Sequence, residues 1–264
     1  MALILITGAS DGLGRALAED LAATGRHRLL LHGRDADRLA EVADATGGTT
    51  LSADLSSLAE VTRLAARVAH AHDRLDVLVN NAGVGFRADG AARQLSRDGY
   101  ELRLAVNYLA PVLLTRELLP LLRRSPAARV VNVASIGQQP IDFDDPQFTR
   151  DFREPAAYSR AKLALICHTI DLADELAGSG ITVNSVHPAS YMPTAMSRRA
   201  GVAVVDSLEK GASAVRRLVD GADVAGVTGR YFDSDREARA AEEAYDAGYR
   251  WRLRDLTRDL LAGF

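Results

Sequence analysis

Apolar residues recur along the chain in short unbroken runs of strand length. Each run leads into a polar or glycine-bearing turn, and then into a stretch where apolar residues return every three to four positions. Residues 2–6 (Ala-Leu-Ile-Leu-Ile), 28–33, 49–53, 75–79, 128–134, 181–186 and the short run 229–232 read as strands. Residues 15–24, 36–45, 57–71, 95–124, 161–176 and 206–219 read as helices. Runs without alternation suit strands covered on both faces, and strand–helix alternation predicts a parallel sheet. The expectation is a single α/β domain over 1–264, doubly wound, with a parallel sheet of about seven strands and helices on both faces. Residues 234–264 read as a charged tail with a late helix carrying Trp251, Leu253, Leu256, Leu260 and Leu261. That amphipathic pattern suits a packing lid or a subunit contact.

Composition narrows the function classes. With 264 residues, 47% hydrophobic and 25% charged, the chain can bury a sizeable core without staples. A net charge of −3 gives no footprint for nucleic acid or an anionic membrane surface. The lone Cys167, inside an apolar helical run, reads as a buried structural thiol, and the 6 His show no paired ligand spacing, so no metal site is expected. No apolar run approaches the roughly 18 residues of a membrane span, and the first residues have no basic leader. A soluble cytoplasmic protein is the default expectation.

Candidate chemistry sits where strands end. Thr7-Gly8-Ala9-Ser10-Asp11-Gly12-Leu13-Gly14 lies between the first strand and the first helix. In that context glycines let a pyrophosphate approach the backbone while the helix N-terminus offers free N–H donors; the bland alternative is a plain glycine-rich turn. At the end of the second strand, an acidic residue would take the ribose hydroxyls of NAD and a basic one the 2′-phosphate of NADP. Gly33 fills the acidic position and Arg34 follows it, which favours NADP; Asp35, one residue on, keeps NAD open. Asp54 or Ser56 reads equally as the N-cap of the helix over 57–71. Ser135 stands at the carboxyl edge of the fifth strand, where ligands of open α/β sheets gather. Tyr158 and Lys162 lie four apart, which on a helix puts both on one face about 5–6 Å apart. A phenol near pKa ~10 is a poor base at neutral pH, and making it competent needs roughly 3–4 kcal/mol from a close cation in a dry site. By itself this spacing is common on helix surfaces.

Together, Thr-Gly-x-x-x-Gly-x-Gly after the first strand, Asn80-Asn81-Ala82-Gly83 closing the fourth, and Tyr158-x-x-x-Lys162 resemble the short-chain dehydrogenase/reductase family over about residues 2–232. The resemblance implies a Rossmann domain with strand order 3-2-1-4-5-6-7 and an NAD(P)-dependent oxidoreductase acting on a carbonyl or alcohol. It implies that Ser135 orients the substrate oxygen, that Tyr158 is the general acid/base, and that Lys162 lowers the tyrosine pKa and binds the nicotinamide ribose. Asn107 would sit at a helix irregularity, its backbone carbonyl holding a water linked to the lysine, and Pro111 four residues on is compatible with a distorted helix; an Asn in an apolar helix is otherwise an ordinary satisfied polar group. Cofactor contacts fall on Gly8, Ser10, Asp11, Gly12, Leu13, Gly14, Arg34, Asp54, Leu55, Asn81, Ala82, Gly83, Tyr158, Lys162, Pro188 and Thr194. Asp54 would then face the adenine. Asp11 stands where NADP-preferring relatives often carry a basic residue, which pulls toward NAD.

Two departures stand out. Ala189 replaces the glycine usual after Pro188, so a positive φ there is disfavoured. The interval from Ser135 to Tyr158 is about ten residues longer than in compact members and resembles the retinol-dehydrogenase-like branch. The segments 83–95, 136–155 and 190–205 are expected to wall the substrate pocket. Long helices such as those holding Asn107 and Tyr158 often pair between subunits in relatives, so a homo-oligomer is a further expectation. A sugar-nucleotide epimerase prefers a different glycine spacing and a larger C-terminal domain. A non-catalytic dinucleotide-binding sensor or scaffold typically lacks the tyrosine or the lysine.

Overall fold

The strands lie in one sheet ordered β3-β2-β1-β4-β5-β6-β7-β8, in a computed structural model that describes residues 1–87 and 92–264. In chain order the elements are β1 (Ala2–Thr7), α1 (Gly12–Ala23), β2 (His27–Gly33), α2 (Ala36–Thr46), β3 (Thr49–Ser52), α3 (Leu58–Ala71), β4 (Val77–Asn80) and α4 (Leu102–Leu122). They continue with β5 (Arg129–Val133), α5 (Glu154–Glu175), β6 (Thr182–His187), α6 (Ala195–Arg199), α7 (Leu208–Asp220), β7 (Tyr231–Asp233), β8 (Arg236–Ala238) and α8 (Ala247–Leu260). Part of the expected loop over 83–95, namely 88–91, lies outside the described residues.

The apolar first run is explained by its two faces. Leu3 and Leu5 pack with Leu30, Leu78 and Val130 beneath Leu64 of α3, Leu113 of α4 and Leu163 of α5. Ile4 and Ile6 pack with Leu29, Leu31, Val79 and Val131 beneath Leu17 of α1, Leu39 of α2 and Val215 of α7. A strand covered on both sides has no position left for a polar residue. Parallel register (Leu5 opposite Leu30 and Leu78) brings the carboxyl ends of the central strands to one edge.

Several expectations are corrected. Among the described residues the expected sheet of about seven strands gains an eighth, because the tail first turns back as β8, antiparallel to β7. The turn puts Ser234 at φ +56°, a conformation that hairpins normally assign to glycine or asparagine, so no turn signal marks it. The long helix starts at Leu102, not 95: Leu95 pairs with Glu101 as an antiparallel bridge, and Glu101 caps the helix by accepting from the N–H of Arg103 and Leu104, each at 2.8 Å. The catalytic-region helix starts at Glu154 rather than 161, with Pro155 in the first turn, where its missing N–H costs nothing. A short helix, α6, forms inside 190–205. Helix α3 is capped by Ser57, whose hydroxyl accepts from Glu60 N, not by Asp54 or Ser56.

Helix α8 lies on the flank made by α4 and α5. Tyr108 Oη and Thr257 Oγ1 are 2.6 Å apart, Tyr100 Oη donates to Leu260 O at 2.6 Å, and Arg250 reaches Asp171 at 2.7 Å. Leu253 and Leu261 are buried there while Trp251 faces solvent, so the tail's apolar stripe is narrower than its sequence suggests. Cys167 is fully buried, and burial pushes its thiol up to about 12. Helix α4 has 21 residues at mean hydropathy 1.2, long and apolar enough to cross a membrane, against the expectation that no run approaches this. Within the molecule 78% of that window is buried, as for a core helix.

Candidate active site

Thr7, at the end of β1, is the hub. Its hydroxyl donates to Val79 O at 3.2 Å and accepts from the N–H of Asn81 at 2.9 Å and of Ala82 at 3.0 Å. Asn81 returns its amide to Thr7 O at 2.7 Å and Gly8 O at 3.2 Å. The ends of β1 and β4 are thereby locked together, and the chain leaves Thr7 through Gly8 at φ +68°, where a side chain would be strained. Asn80 spans onward to Asn132 at 2.8 Å and Thr115 at 3.1 Å, and Asn132 to Thr169 at 2.9 Å, so these side chains tie neighbouring strands to α4 and α5.

Helix α4 carries a π-turn over Ala105–Leu109 centred on Asn107. Pro111 has no N–H to return to the Asn107 carbonyl, which accounts for the irregularity. The Asn107 side chain accepts from Val84 N at 2.8 Å and donates to Val84 O at 2.9 Å, so it is fully satisfied while it fixes the strand-end loop. A methyl on Gly83 would lie 3.3 Å from Asn107 Oδ1 and 3.7 Å from Lys162 Nζ. Asn107, Gly83 and Lys162 are thus one cluster.

Tyr158 is half-buried on the first turns of α5, near the Ser135 hydroxyl, which accepts from Gly137 N at 3.1 Å. Lys162 is 3% exposed; its ammonium donates to Val133 O at 2.6 Å and lies 5.7 Å from the centre of the Tyr158 ring. Here the electrostatics differ from expectation. Burial raises the Tyr158 phenol above its ordinary value, the nearby Ser135 hydroxyl lowers it, and the Tyr191 phenol raises it again. Burial also draws Lys162 down to about 8. Desolvation disfavours charge on either group, and the ammonium is held by a backbone carbonyl.

The far end of the cleft holds the cofactor-selecting residues. Asp11 caps α1 by accepting from Gly12 N at 2.7 Å, and Asp35 caps α2 by accepting from Arg38 N at 3.1 Å. Asp35 is therefore committed to the helix. Arg38, not singled out from sequence, sits 3.4 Å from Asp35 and 3.7 Å from Asp11. Arg34 is exposed. Ser10 lies against Gly33, where a methyl would meet its Oγ at 3.1 Å. Asp54 accepts from Ser56 N at 3.0 Å and sits 3.4 Å from Arg97. Leu13 and Leu55 bury their side chains in the core, which leaves their backbone for a ligand. Thr194 caps α6, and its γ-methyl would touch a methyl on Gly12 at 3.0 Å, so it adjoins the glycine turn. Ala189, after Pro188, does not have a positive φ; the left-handed residue is Tyr191, at +44°.

His32, also missed, is 1% exposed; its Nδ1 accepts from Gly8 N at 3.4 Å and its Nε2 donates to Ala53 O at 3.1 Å, which fixes the neutral ring. Burial lowers its pKa from 6.5 to about 4. Between those values only the unfolded chain binds the proton, so stability is lost as pH falls from about 6.5 to 4, by about 3 kcal/mol at roughly 1.4 kcal/mol per pH unit. Urea melts at pH 7 and pH 4.5 are expected to differ by about 2 kcal/mol less in His32→Gln than in the wild type; equal differences would remove His32 from the acid response.

The glycine turn, the helix N-terminus and the buried Lys162 fit a dinucleotide: a methyl on Gly8 or Gly14 would run into Ala82, Asn81 or Gly8 itself, so the turn packs tightly, backbone close to backbone, against the end of β4 at the start of α1. The comparisons agree. The family model described as short chain dehydrogenase matches residues 2–203. Human retinol dehydrogenase 13 is 33% identical over 92% of this chain and 79% of its own, and mouse retinol dehydrogenase 14 is 33% identical over 96% and 84%. The solved Pseudomonas aeruginosa RhlG/NADP active-site complex superposes with a TM-score of 0.73 at 31% identity, covering 89% of this chain and 94% of that one. With its parallel sheet, its glycine turn and its Ser135–Tyr158–Lys162 cluster, this chain belongs to the short chain dehydrogenase family of nicotinamide-dependent oxidoreductases and is retinol-dehydrogenase-like within it.

Proposed function

We propose that the protein is an NADP(H)-dependent oxidoreductase that interconverts a carbonyl and an alcohol, with Tyr158 as general acid/base. The observation that carries this reading is the pairing of Tyr158 with the buried Lys162, one helical turn apart with the ammonium 5.7 Å from the centre of the Tyr158 ring, at the carboxyl edge of the sheet where Ser135 follows β5. When bound, the nicotinamide supplies or accepts the hydride. Ser135 donates a hydrogen bond to the substrate oxygen. In reduction Tyr158 gives its proton to the oxygen as negative charge develops there; in oxidation its phenolate takes the alcohol proton. Lys162, still cationic below about pH 8, stabilises the phenolate left behind and is the residue that would hold the nicotinamide ribose. Gly8, Gly12 and Gly14 would hold the pyrophosphate, Asn81–Gly83 the adjoining ribose.

Apolar side chains lie near Tyr158: half-buried Phe86 is edge-on to its ring at 5.9 Å, exposed Ile136 follows Ser135, and exposed Tyr191 has its carbonyl bonded to Val205 N at 3.1 Å. A substrate with an apolar body fits this rim, and a retinoid therefore belongs among the compounds tested. NADP is favoured over NAD because Arg34 and Arg38 stand past Gly33, and each can grip a phosphate through two N–H donors. RhlG, solved with NADP, points the same way.

A panel of carbonyls and alcohols with each nicotinamide tests the reading. Turnover with NADPH on apolar aldehydes or ketones is expected; tight NADPH binding with no turnover on any compound would leave a dinucleotide sensor instead. In the same assay Arg34→Ala is expected to cut the NADP-over-NAD preference in kcat/KM at least about tenfold, since a hydrogen bond to a charged group is worth about 1.5–3 kcal/mol. An unchanged preference would end the assignment of Arg34.

A further inference from the structure

The charged groups most deeply buried near the site are not those of the expected machinery. Glu101, Arg103 and Glu154 are each 2% exposed. Arg103 is a three-way junction: its Nε donates to Gly85 O at 3.1 Å, its Nη1 to Glu101 at 3.1 Å, and its Nη2 to Glu154. Glu101 caps α4, and the second oxygen of Glu154 accepts from Arg87 N at 2.9 Å. One guanidinium thus joins the loop after β4, the start of α4 and the first turn of α5.

The spacing along the two helices is what gives this junction its meaning. Glu154, Tyr158 and Lys162 follow at four-residue intervals on α5, and Arg103 and Asn107 are four apart on α4. Positions four apart share a helical face. The Arg103–Glu154 pair therefore lies about one turn before Tyr158 on α5 and about one turn before Asn107 on α4, whose side chain shares the neighbourhood of Gly83 with Lys162. It also brackets Phe86: the carbonyl before that residue is held by Arg103, and the N–H after it by Glu154. The Phe86 ring meets the Tyr158 ring at 5.9 Å and 71°, edge to face. Buried ion pairs are costly to desolvate, and apolar residues of similar volume often hold helices together as well or better. What they offer beyond adhesion is a fixed geometry.

We propose that Arg103 and Glu154 are positioning residues that set the height of the Tyr158 phenol relative to Asn107 and press Phe86 against it as one wall of the substrate site. This rests on the reading of Tyr158 as general acid/base. A misplaced phenol lowers the rate of proton transfer without disturbing the glycine turn, so the signature is a split between chemistry and cofactor binding.

Glu154→Gln, which keeps the shape but removes the charge, and the paired Arg103→Met with Glu154→Met, which removes both members of the pair and leaves Glu101 held by the N–H groups of Arg103 and Leu104, test this. NADPH affinity by fluorescence, thermal midpoint, and kcat and KM on the best carbonyl would be measured on each. NADPH Kd is expected to stay within twofold in both variants while kcat falls at least tenfold. The midpoint is expected to drop in Glu154→Gln and to recover in the paired variant without recovery of kcat. If the paired variant regains kcat to within twofold of wild type, the pair is only structural and the proposal is overturned. If neither variant folds, Arg103→Lys, which keeps the charge but cannot reach Gly85, Glu101 and Glu154 together, decides by the same kcat criterion. Tyr158→Phe run alongside separates the two levels: turnover retained in it removes the acid/base reading itself, whereas its loss beside a fully active Glu154→Gln removes only the positioning role.

Discussion

Tyr158→Phe is expected to bind NADPH within about twofold of wild type and to lose about a thousandfold in kcat, in both reaction directions. The change deletes one hydroxyl and keeps the ring, so the edge contact with Phe86 survives. What disappears is the proposed proton source near Ser135. Positioned acid/base groups contribute roughly 10²–10⁴-fold, and a thousandfold corresponds to about 4 kcal/mol in the barrier. The stability change is expected to be about 1 kcal/mol or less, because only one hydroxyl is removed and Ser135 keeps its bond from Gly137 N. The raised phenol pKa gives the wild-type profile its shape. Below that pKa the phenol is protonated, so reduction runs without penalty through neutral pH, while oxidation needs the phenolate and rises with pH. Lys162, neutral above about 8, stabilises that phenolate less as the pH climbs further. Stopped-flow and steady-state rates on the two proteins check all of this; turnover above a few per cent in the variant would remove Tyr158 from the chemistry.

The parts of the site that could be read in the sequence are those encoded locally. A run such as Leu3-Ile4-Leu5-Ile6 can only be a strand covered on both faces, and the glycine turn after it can only sit at that strand's end. Asn107, Ser135, Tyr158 and Lys162 were legible because a family pattern ties residue types to particular elements, and the structure gathers them. The unreadable parts depend on partners far away in the chain. The acceptor of the Lys162 ammonium is a backbone oxygen 29 residues earlier, and the cation that meets Glu154 lies 51 residues earlier. No spacing rule links such positions. The tail's β8 was hidden for another reason: Ser234 adopts the backbone that Gly or Asn would have advertised. Burial also reversed an electrostatic expectation, since a four-residue spacing says that two groups are near but not how dry they are.

Gly14→Ala is expected to abolish measurable NADPH binding and to lower the thermal midpoint by roughly 6–12 °C, the effect of about 3 kcal/mol in a chain of this size. Gly14 has an ordinary φ, so the cost is not conformational. A methyl there would lie 2.1 Å from Gly8 O and 2.6 Å from Asn81 Nδ2, well inside contact distance of one backbone atom and one side chain. Neither can yield cheaply. Gly8 O and Thr7 O both accept from Asn81, and Asn81 and Ala82 both donate to Thr7 Oγ1. Relief therefore means lifting the first turn of α1 off the end of β1, which carries its N–H groups away from where a pyrophosphate would lie. Gly25 is the matched control. Its φ is +64°, yet nothing stands within 4 Å of an added methyl, so Gly25→Ala meets backbone strain alone, about 1 kcal/mol. It is expected to melt a few degrees lower and to bind NADPH normally. If isothermal titration found Gly14→Ala binding within threefold of wild type, the close approach of Gly8 and Gly14 would not be what builds the cofactor cradle.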